Sequence, residues 1–402
     1  MSEDLELLTG PDAGGLLEAA AAAGGGTVVS WRAKQVTHQV RSGTTVAYRA
    51  RIRWSDGRVA DETLAACTGD LPEGALVLAD GADRVALWRF PHDPDLPGLP
   101  SAFDEGHVAS VFRDLGLADG SIRLAVRAYR PRRRAVIEAT GPRGRLFVKV
   151  VRPDRVEALH DRHRLLVANG IPVPQSLGWT DDGLLVLQAL AGRTLRQALK
   201  RRAVPVPSGS DLLRLLDRLP AALADGRRRH SWLDRVGHYA AVVAAAVPEC
   251  AEQVVTVSEA IATEAGTGPI VPTHGDFYES QLLVDGGRVC GLLDVDTAGP
   301  GERLDDLACL LGHLSVLAQI QTDRAGAINR LGARYLATFE QTVDPADLRY
   351  RVAAVIVSLA TGPHRVQEAR WRASTRRRVE LAERWLDSAR RPQAGDIAPT
   401  TP

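Results

Sequence analysis

The hydrophobic period of this chain changes once, near residue 190, and that change limits the folds open to it. Before it, short apolar runs separated by Gly-, Pro- and Asp-containing turns read as strands: "TVVSWRAKQV", "TTVAYRARIRW", "ALVLAD", "RVALWRF", "SIRLAVRAYR", "RAVIEAT", "RLFVKVV" and "GLLVLQAL". Helices are expected in this half around Gly106–Leu115 and Asp154–Ala168. After "AGRTLRQALK" the pattern is mostly helical to about Arg391. A strand-rich half followed by a helical half predicts two lobes, and the junction between lobes is a natural place for a ligand.

The finer division is a flexible segment over 1–26, a β-rich N-terminal domain over 27–103, a second β-rich lobe over 104–190, a helical lobe over 191–392 and a disordered tail over 393–402. The Pro-rich "PHDPDLPGLPSAFD" reads as the linker between the first two domains. A weak internal echo joins "VALWRFPHDPDLPGL" to "LFVKVVRPDRVEAL". It suggests that residues 28–100 are a degenerate copy of the second lobe, with Arg89 where the other copy has Lys149; the alternative is that Arg-rich hairpins look alike by chance.

One hairpin breaks the helical half, within "THGDFYESQLLVDGGRVCGLLDVD". Two apolar runs around Asp285-Gly286-Gly287 read as antiparallel strands. Antiparallel pairing returns the chain to its start, so Asp276 and Asp294 are expected on one edge. Two carboxylates so placed repel unless a cation or proton lies between them. Gln281 adds an amide oxygen, and such hard oxygen donors suit Mg²⁺.

Lysine is scarce: of 50 basic residues all but Lys34, Lys149 and Lys200 are Arg. Lys149 interrupts the apolar run "LFVKVV", and a charge there needs an anion. A carboxylate at an acceptor hydroxyl, Mg²⁺ donors and a cation for nucleotide phosphates are together the parts of phosphoryl transfer.

These residues resemble the aminoglycoside phosphotransferase family, small-molecule kinases that share the protein-kinase fold. The resemblance rests on His274-Gly275-Asp276 with Gln281, on Leu293-Asp294-Val295-Asp296 and on Asp305-Asp306-Leu307-Ala308, in that order, and spans about residues 122–390. It implies an α+β, bilobal protein-kinase-like fold with a β-rich N-lobe and a helical C-lobe, preceded here by an additional N-terminal β-rich domain. It implies Asp276 as catalytic base with His274 buttressing its loop, and Gln281 and Asp294 as Mg²⁺ ligands. Lys149 would hold the ATP phosphates, with Glu157 as its partner and Asp161 as the alternative, and Gln188, Ala189 and Leu190 would form the adenine-binding hinge. Asp306 would hold the loop backbone. Gln281 stands where the family has Asn, and "RPRRRAVIEA" takes the place of a glycine-rich phosphate loop.

The expected activity is ATP- and Mg²⁺-dependent phosphorylation of a small-molecule hydroxyl, on a sugar-like metabolite or an aminoglycoside-like compound. The arginines of "HRVQEARWRASTRRRVELAERWLDSARR" fall opposite the stripe Val379, Ala382, Trp385, Leu386 and Ala389, and they favour a neutral or anionic acceptor if they reach the site. The alternatives are a nucleotide-binding module without turnover and a metal-dependent phosphohydrolase. No apolar run approaches about eighteen residues, so no membrane span is expected; no nucleic-acid partner is expected either. An acidic N-terminus and four cysteines without C-x-x-C spacing point to the cytoplasm.

Overall fold

The structure is a computed structural model. It describes residues 3–391 apart from 40–41, 81–82, 118–119, 143, 202–203 and 229; the tail expected over 393–402 lies outside the described residues. The chain divides into two compact units, one running to Ala191 with Pro363–Ala369 added, the other from Gly192 to Gly362 and onward from Arg370.

The first unit opens with α1 (Glu3–Thr9) and α2 (Ala13–Ala22). They pack on a sheet of β1 (Gly26–Gln39), β2 (Gly43–Trp54), β3 (Val59–Cys67), β4 (Leu76–Asp80) and β5 (Asp83–Arg89). Alternation in β2 sets the faces: Val46, Tyr48, Ala50 and Ile52 are buried while Arg49, Arg51 and Arg53 are exposed. Residues 3–22, expected to be flexible, are instead part of this core. Leu5, Leu8 and Leu17 are at most 1% exposed, and the Tyr48 hydroxyl donates to the Leu8 carbonyl at 2.6 Å. The alanine- and glycine-rich composition hid an apolar stripe that gains its partner only from the sheet.

The Pro-rich segment that follows is likewise no loose linker. Leu96, Leu99 and Ala102 enter the core of the second sheet, beside Val108 and Phe112. Proline and glycine prevent regular hydrogen bonding here, not burial. Around it lie α3 (Leu99–Ala102), α4 (Glu105–Asp114), β6 (Arg123–Arg130), β7 (Arg134–Gly141), β8 (Gly144–Val151), α5 (Pro153–Ala168), β9 (Ser176–Trp179) and β10 (Leu184–Gln188). Asp93, 2% exposed, accepts from the Tyr129 hydroxyl and the Arg132 backbone N–H, both at 2.8 Å. Arg132, in the left-handed region (φ 64°) at the β6–β7 turn, donates through Nε to Asp95 at 2.6 Å. That turn, which stands where the family has a glycine-rich phosphate loop, is thus tied to residues 93–95.

The sheets run β1-β2-β3-β5-β4 and β6-β7-β8-β10-β9, the same order with antiparallel pairing throughout. Arg89 is not the counterpart of Lys149. It ends β5, which corresponds to β10, whereas Lys149 is on β8, which corresponds to β3. The matching place in β3, two residues before its end, is Ala65, flanked by Ala47 and Trp88. Where α5 separates β8 from β9, residues 68–75 of the first sheet form turns.

In the second unit β11 (Arg193–Thr194) pairs with the hairpin of β13 (Leu282–Asp285) and β14 (Arg288–Leu292), and β12 (Ile270–Thr273) pairs with β15 (Gly299–Glu302). The helices are α6 (Leu195–Leu199), α7 (Gly209–Asp217), α8 (Val236–Ala246), α9 (Ala251–Glu264), α10 (Arg303–Ile320), α11 (Ala325–Phe339), α12 (Pro345–Ala360), the single turn α13 (Gly362–Arg365), which continues into the first unit, and α14 (Trp371–Ala389). Asp344 caps α12 by accepting from the Asp347 N–H at 2.8 Å, with Pro345 in the first turn. The start of α10 is anchored by Arg351 of α12, which is fully buried. Arg351 pairs with Glu302 and with Asp305 at 2.7 Å and donates to the Gly266 carbonyl. In α14 Arg372, Arg376, Arg377 and Arg384 are exposed as expected, as is Arg390 just beyond it; Arg378 turns inward to the Leu359 carbonyl at 2.7 Å. Among the described residues no helix is long and apolar enough to cross a membrane.

Candidate active site

The loop after β12 is built around Asp306, which is buried without exposure near the start of α10. Its two carboxylate oxygens accept the N–H groups of His274 and Gly275, each at 2.8 Å. Burial pushes this carboxyl above its ordinary range, opposed by His274 and by the two amides. The His274 ring bridges the loop: Nε2 lies 2.9 Å from the Leu293 carbonyl and Nδ1 3.3 Å from the Asp276 N–H. A carbonyl can only accept and an N–H only donate, so the proton sits on Nε2. Gly275 has φ 78°, and a Cβ there would lie 2.6 Å from the Thr297 carbonyl oxygen. Glycine is required by both conformation and space.

The hairpin does what its sequence predicts. Leu282 pairs with Leu292 and Leu283 with Gly291. Gly286 and Gly287 supply the positive φ of the turn. Beyond the strand ends the Leu293 N–H donates to the Gln281 carbonyl at 2.8 Å, which carries the pairing on to Asp294. Asp294 adopts a left-handed conformation (φ 56°, ψ 52°), unusual for a residue with a side chain. Its carboxylate lies 3.4 Å from the Gln281 amide nitrogen. His274, Asp276, Gln281 and Asp294 are therefore on one short stretch of structure, the first two tied to the last two through Leu293.

Gln281 and Asp294 fit a hard divalent cation: one carboxylate and one amide oxygen, on adjoining backbone, with a left-handed turn aiming the carboxylate toward the amide. The Gln281 amide needs a half-turn about its last torsion to present oxygen on that side.

The first unit carries the other expected residues. Lys149 is 5% exposed on β8, with Val136 and Leu185 as cross-strand neighbours. It shares a sheet face with Phe147, Val151, Leu185 and Leu187, the face on which Val156 and Leu159 of α5 pack. Glu157 and Asp161, the expected partners, are on the exposed side of α5. Gln188 ends β10 with its N–H bonded to the Gln175 carbonyl at 2.9 Å; Ala189 and Leu190 follow, outside any strand, in half-buried positions.

Sequence reasoning overlooked a second cluster beside Asp276. Glu279 is 1% exposed: Oε1 lies near Arg196 (3.5 Å) and Ser280 (3.4 Å), while Oε2 has no hydrogen bond and lies 4.0 Å from Nδ1 of His313. The His313 ring stacks on Tyr278, centroids 4.0 Å apart. Burial raises the Glu279 carboxyl, with Arg196 pulling the other way. The available signal was the i, i+4 spacing of Cys309 and His313 on α10, which puts both on one helix face.

Residues 126–341, more than half of the chain, match the phosphotransferase enzyme family, and the chain belongs to that family. By class it is a phosphotransferase. No curated protein matches the sequence. Among solved structures, the aminoglycoside phosphotransferase APH(4)-Ia in complex with ADP and hygromycin B is 14% identical, with a TM-score of 0.48 over 69% of this chain and 97% of its own. A macrolide 2'-phosphotransferase from Brachybacterium faecium is 20% identical, TM-score 0.43, over 69% and 97%. An ethanolamine kinase from Plasmodium vivax is 11% identical, TM-score 0.47, over 70% and 90%. Likeness this distant says nothing of the substrate.

Proposed function

We propose that this protein transfers the γ-phosphoryl group of ATP, with Mg²⁺, to a hydroxyl of a sugar-like or related neutral small molecule. The observation that carries the reading is the clamp of Asp306 on the His274 and Gly275 amides, which fixes the backbone from which Asp276 projects. A loop held by two charge-assisted bonds from a buried carboxylate is preorganised, and positioning is most of what phosphoryl transfer asks of a protein.

In this reading Asp276 accepts the acceptor's hydroxyl proton as the new O–P bond forms and the bond from γ-phosphorus to the ADP oxygen breaks. His274 holds the Asp276 amide and the strand end at Leu293, and takes no proton from substrate. Mg²⁺, held by Gln281 and Asp294, would offset the charge on the phosphate oxygens. Lys149 is the proposed cation for the nucleotide phosphates, and the backbone of Gln188–Leu190 the proposed adenine contact. Asp294 in a strained left-handed conformation supports a functional role, since such backbone persists where the surroundings enforce it.

The test is ADP release from ATP and Mg²⁺ across a panel of sugars, amino sugars and aminoglycosides. Acceptor-stimulated release that disappears in Asp276→Asn, with ATP affinity retained, is the expected result. Phosphate release from monoesters without ATP would favour a hydrolase instead.

A further inference from the structure

We propose that Asp276, Cys309 and His313 form a binding site for a borderline-soft divalent cation of the Zn²⁺ class, separate from the Mg²⁺ donors Gln281 and Asp294, and that its occupancy arrests transfer. The inhibitory half rests on the reading of Asp276 as the base.

One ligand atom from each of the three residues lies within 4.8 Å of the others. A tetrahedral ion with Zn–S near 2.3 Å and Zn–N or Zn–O near 2.0 to 2.2 Å needs donors roughly 3.5 Å apart, so side-chain adjustments of about 1 Å or less close the set. Cys309 and His313 come from one face of α10, the i, i+4 spacing by which helices present paired metal ligands. Cys309 is fully buried, whereas Asp276 and His313 are half-buried, leaving the ion an approach on their side.

The second observation is Glu279. Its side chain is 1% exposed, its Oε2 has no hydrogen bond, and that oxygen points at His313 Nδ1 from 4.0 Å. A carboxylate behind a ligating histidine is the usual outer partner of a zinc site, fixing the ring and raising its basicity. Tyr278 stacked on the same ring restricts it further. A buried carboxylate oxygen without a partner is costly, and a cation drawn to His313 would relieve that cost.

The donor set selects the ion. Sulfur and imidazole favour Zn²⁺ over Mg²⁺, which prefers oxygen throughout. Zinc binding displaces the Cys309 thiol proton and engages the Asp276 carboxylate lone pair, so that carboxylate can no longer take the hydroxyl proton.

The experiment uses the metal-free full chain, Co²⁺ as a spectroscopic probe and Zn²⁺ at buffered free concentration in excess Mg²⁺. Wild type is expected to bind one Co²⁺ with a thiolate-to-metal charge-transfer band, displaced by Zn²⁺. Cys309→Ser removes the band, and His313→Gln and Glu279→Gln weaken binding about 10- to 100-fold. Zn²⁺ inhibition, scaled to each variant's own rate, should weaken in parallel, with thermal melts confirming that the variants fold. Absence of the thiolate band in wild type, or an undiminished band in Cys309→Ser, overturns the site whatever the activity. A site that fills with the thiolate signature while transfer continues overturns the inhibitory half and removes Asp276 as base. Inhibition equal in wild type and Cys309→Ser places the inhibiting ion elsewhere and also refutes the proposal.

Discussion

Asp306→Asn tests whether the loop that carries Asp276 is held by one buried carboxylate. In the wild type both oxygens accept a backbone N–H at 2.8 Å, and the side chain has no exposure through which water could substitute. Asparagine keeps one acceptor and turns an NH₂ toward the other amide, so one buried N–H loses its partner. That costs about 1–3 kcal/mol. Alanine strands both amides and costs about 2–6 kcal/mol, a large part of a typical domain's stability. Asparagine is therefore the informative variant. Urea melts of the full chain should show a lower midpoint with an unchanged slope. The displaced loop carries Asp276 with it, and a misplacement of about 1 Å costs on the order of 100-fold in turnover. ATP affinity should change little, because the proposed nucleotide contacts are Lys149 and the backbone of 188–190, whereas the two Asp306 bonds go to the His274 and Gly275 amides. A midpoint and turnover equal to wild type would refute the clamp.

Lys149→Ala should weaken ATP binding and lower turnover by orders of magnitude in a folded protein, with Lys149→Arg giving incomplete rescue; calorimetry with ATP and a coupled rate assay decide it. In the Mg²⁺ series, Gln281→Asn should shift the Mg²⁺ dependence modestly and Gln281→Ala strongly, with Asp294→Asn worse because it removes charge as well; wild-type titration by Gln281→Ala would make Gln281 a loop residue. Burial lifts the Asp305 carboxyl to about 6 despite Arg351, so the folded state holds that proton more tightly than the unfolded chain. Stability should fall as pH rises from about 4 to 6, by up to roughly 3 kcal/mol, and stay level above; Asp305→Asn should flatten that slope in melts across pH 4–8. Deleting residues 1–103 takes Leu96, Leu99 and Ala102 out of the second sheet's core and Asp93 away from Tyr129 and Arg132. The shortened chain should be insoluble or expanded, and a compact, ATP-binding product by scattering and calorimetry would contradict the packing.

What the sequence determined on its own is local and periodic. The Gly286-Gly287 turn between two apolar runs dictated the hairpin, and pairing then had to bring Gln281 and Asp294 to neighbouring positions. Alternation in β2 and β8 set which residues face inward, and the isolation of Lys149 in β8 marked it for attention. Asp306 was legible as a backbone anchor through the family resemblance. Tertiary structure decided whatever depended on a distant partner. Residues 3–22 look like a loose helix until the sheet supplies the surface that buries Leu5, Leu8 and Leu17. The Pro-rich stretch looks like a linker because its backbone is irregular, yet Leu96 and Leu99 find a core contributed by α4, β7, β8 and β10. Arg89 resembles Lys149 in sequence because each is a basic residue adjoining an apolar run, and only strand order shows that they stand on different members of their sheets. The cluster of Asp276, Glu279, Cys309 and His313 joins a loop to a helix some thirty residues away. Periodicity reports which face of an element is apolar; it carries no information on what will cover that face, because burial belongs to the pair and not to the segment.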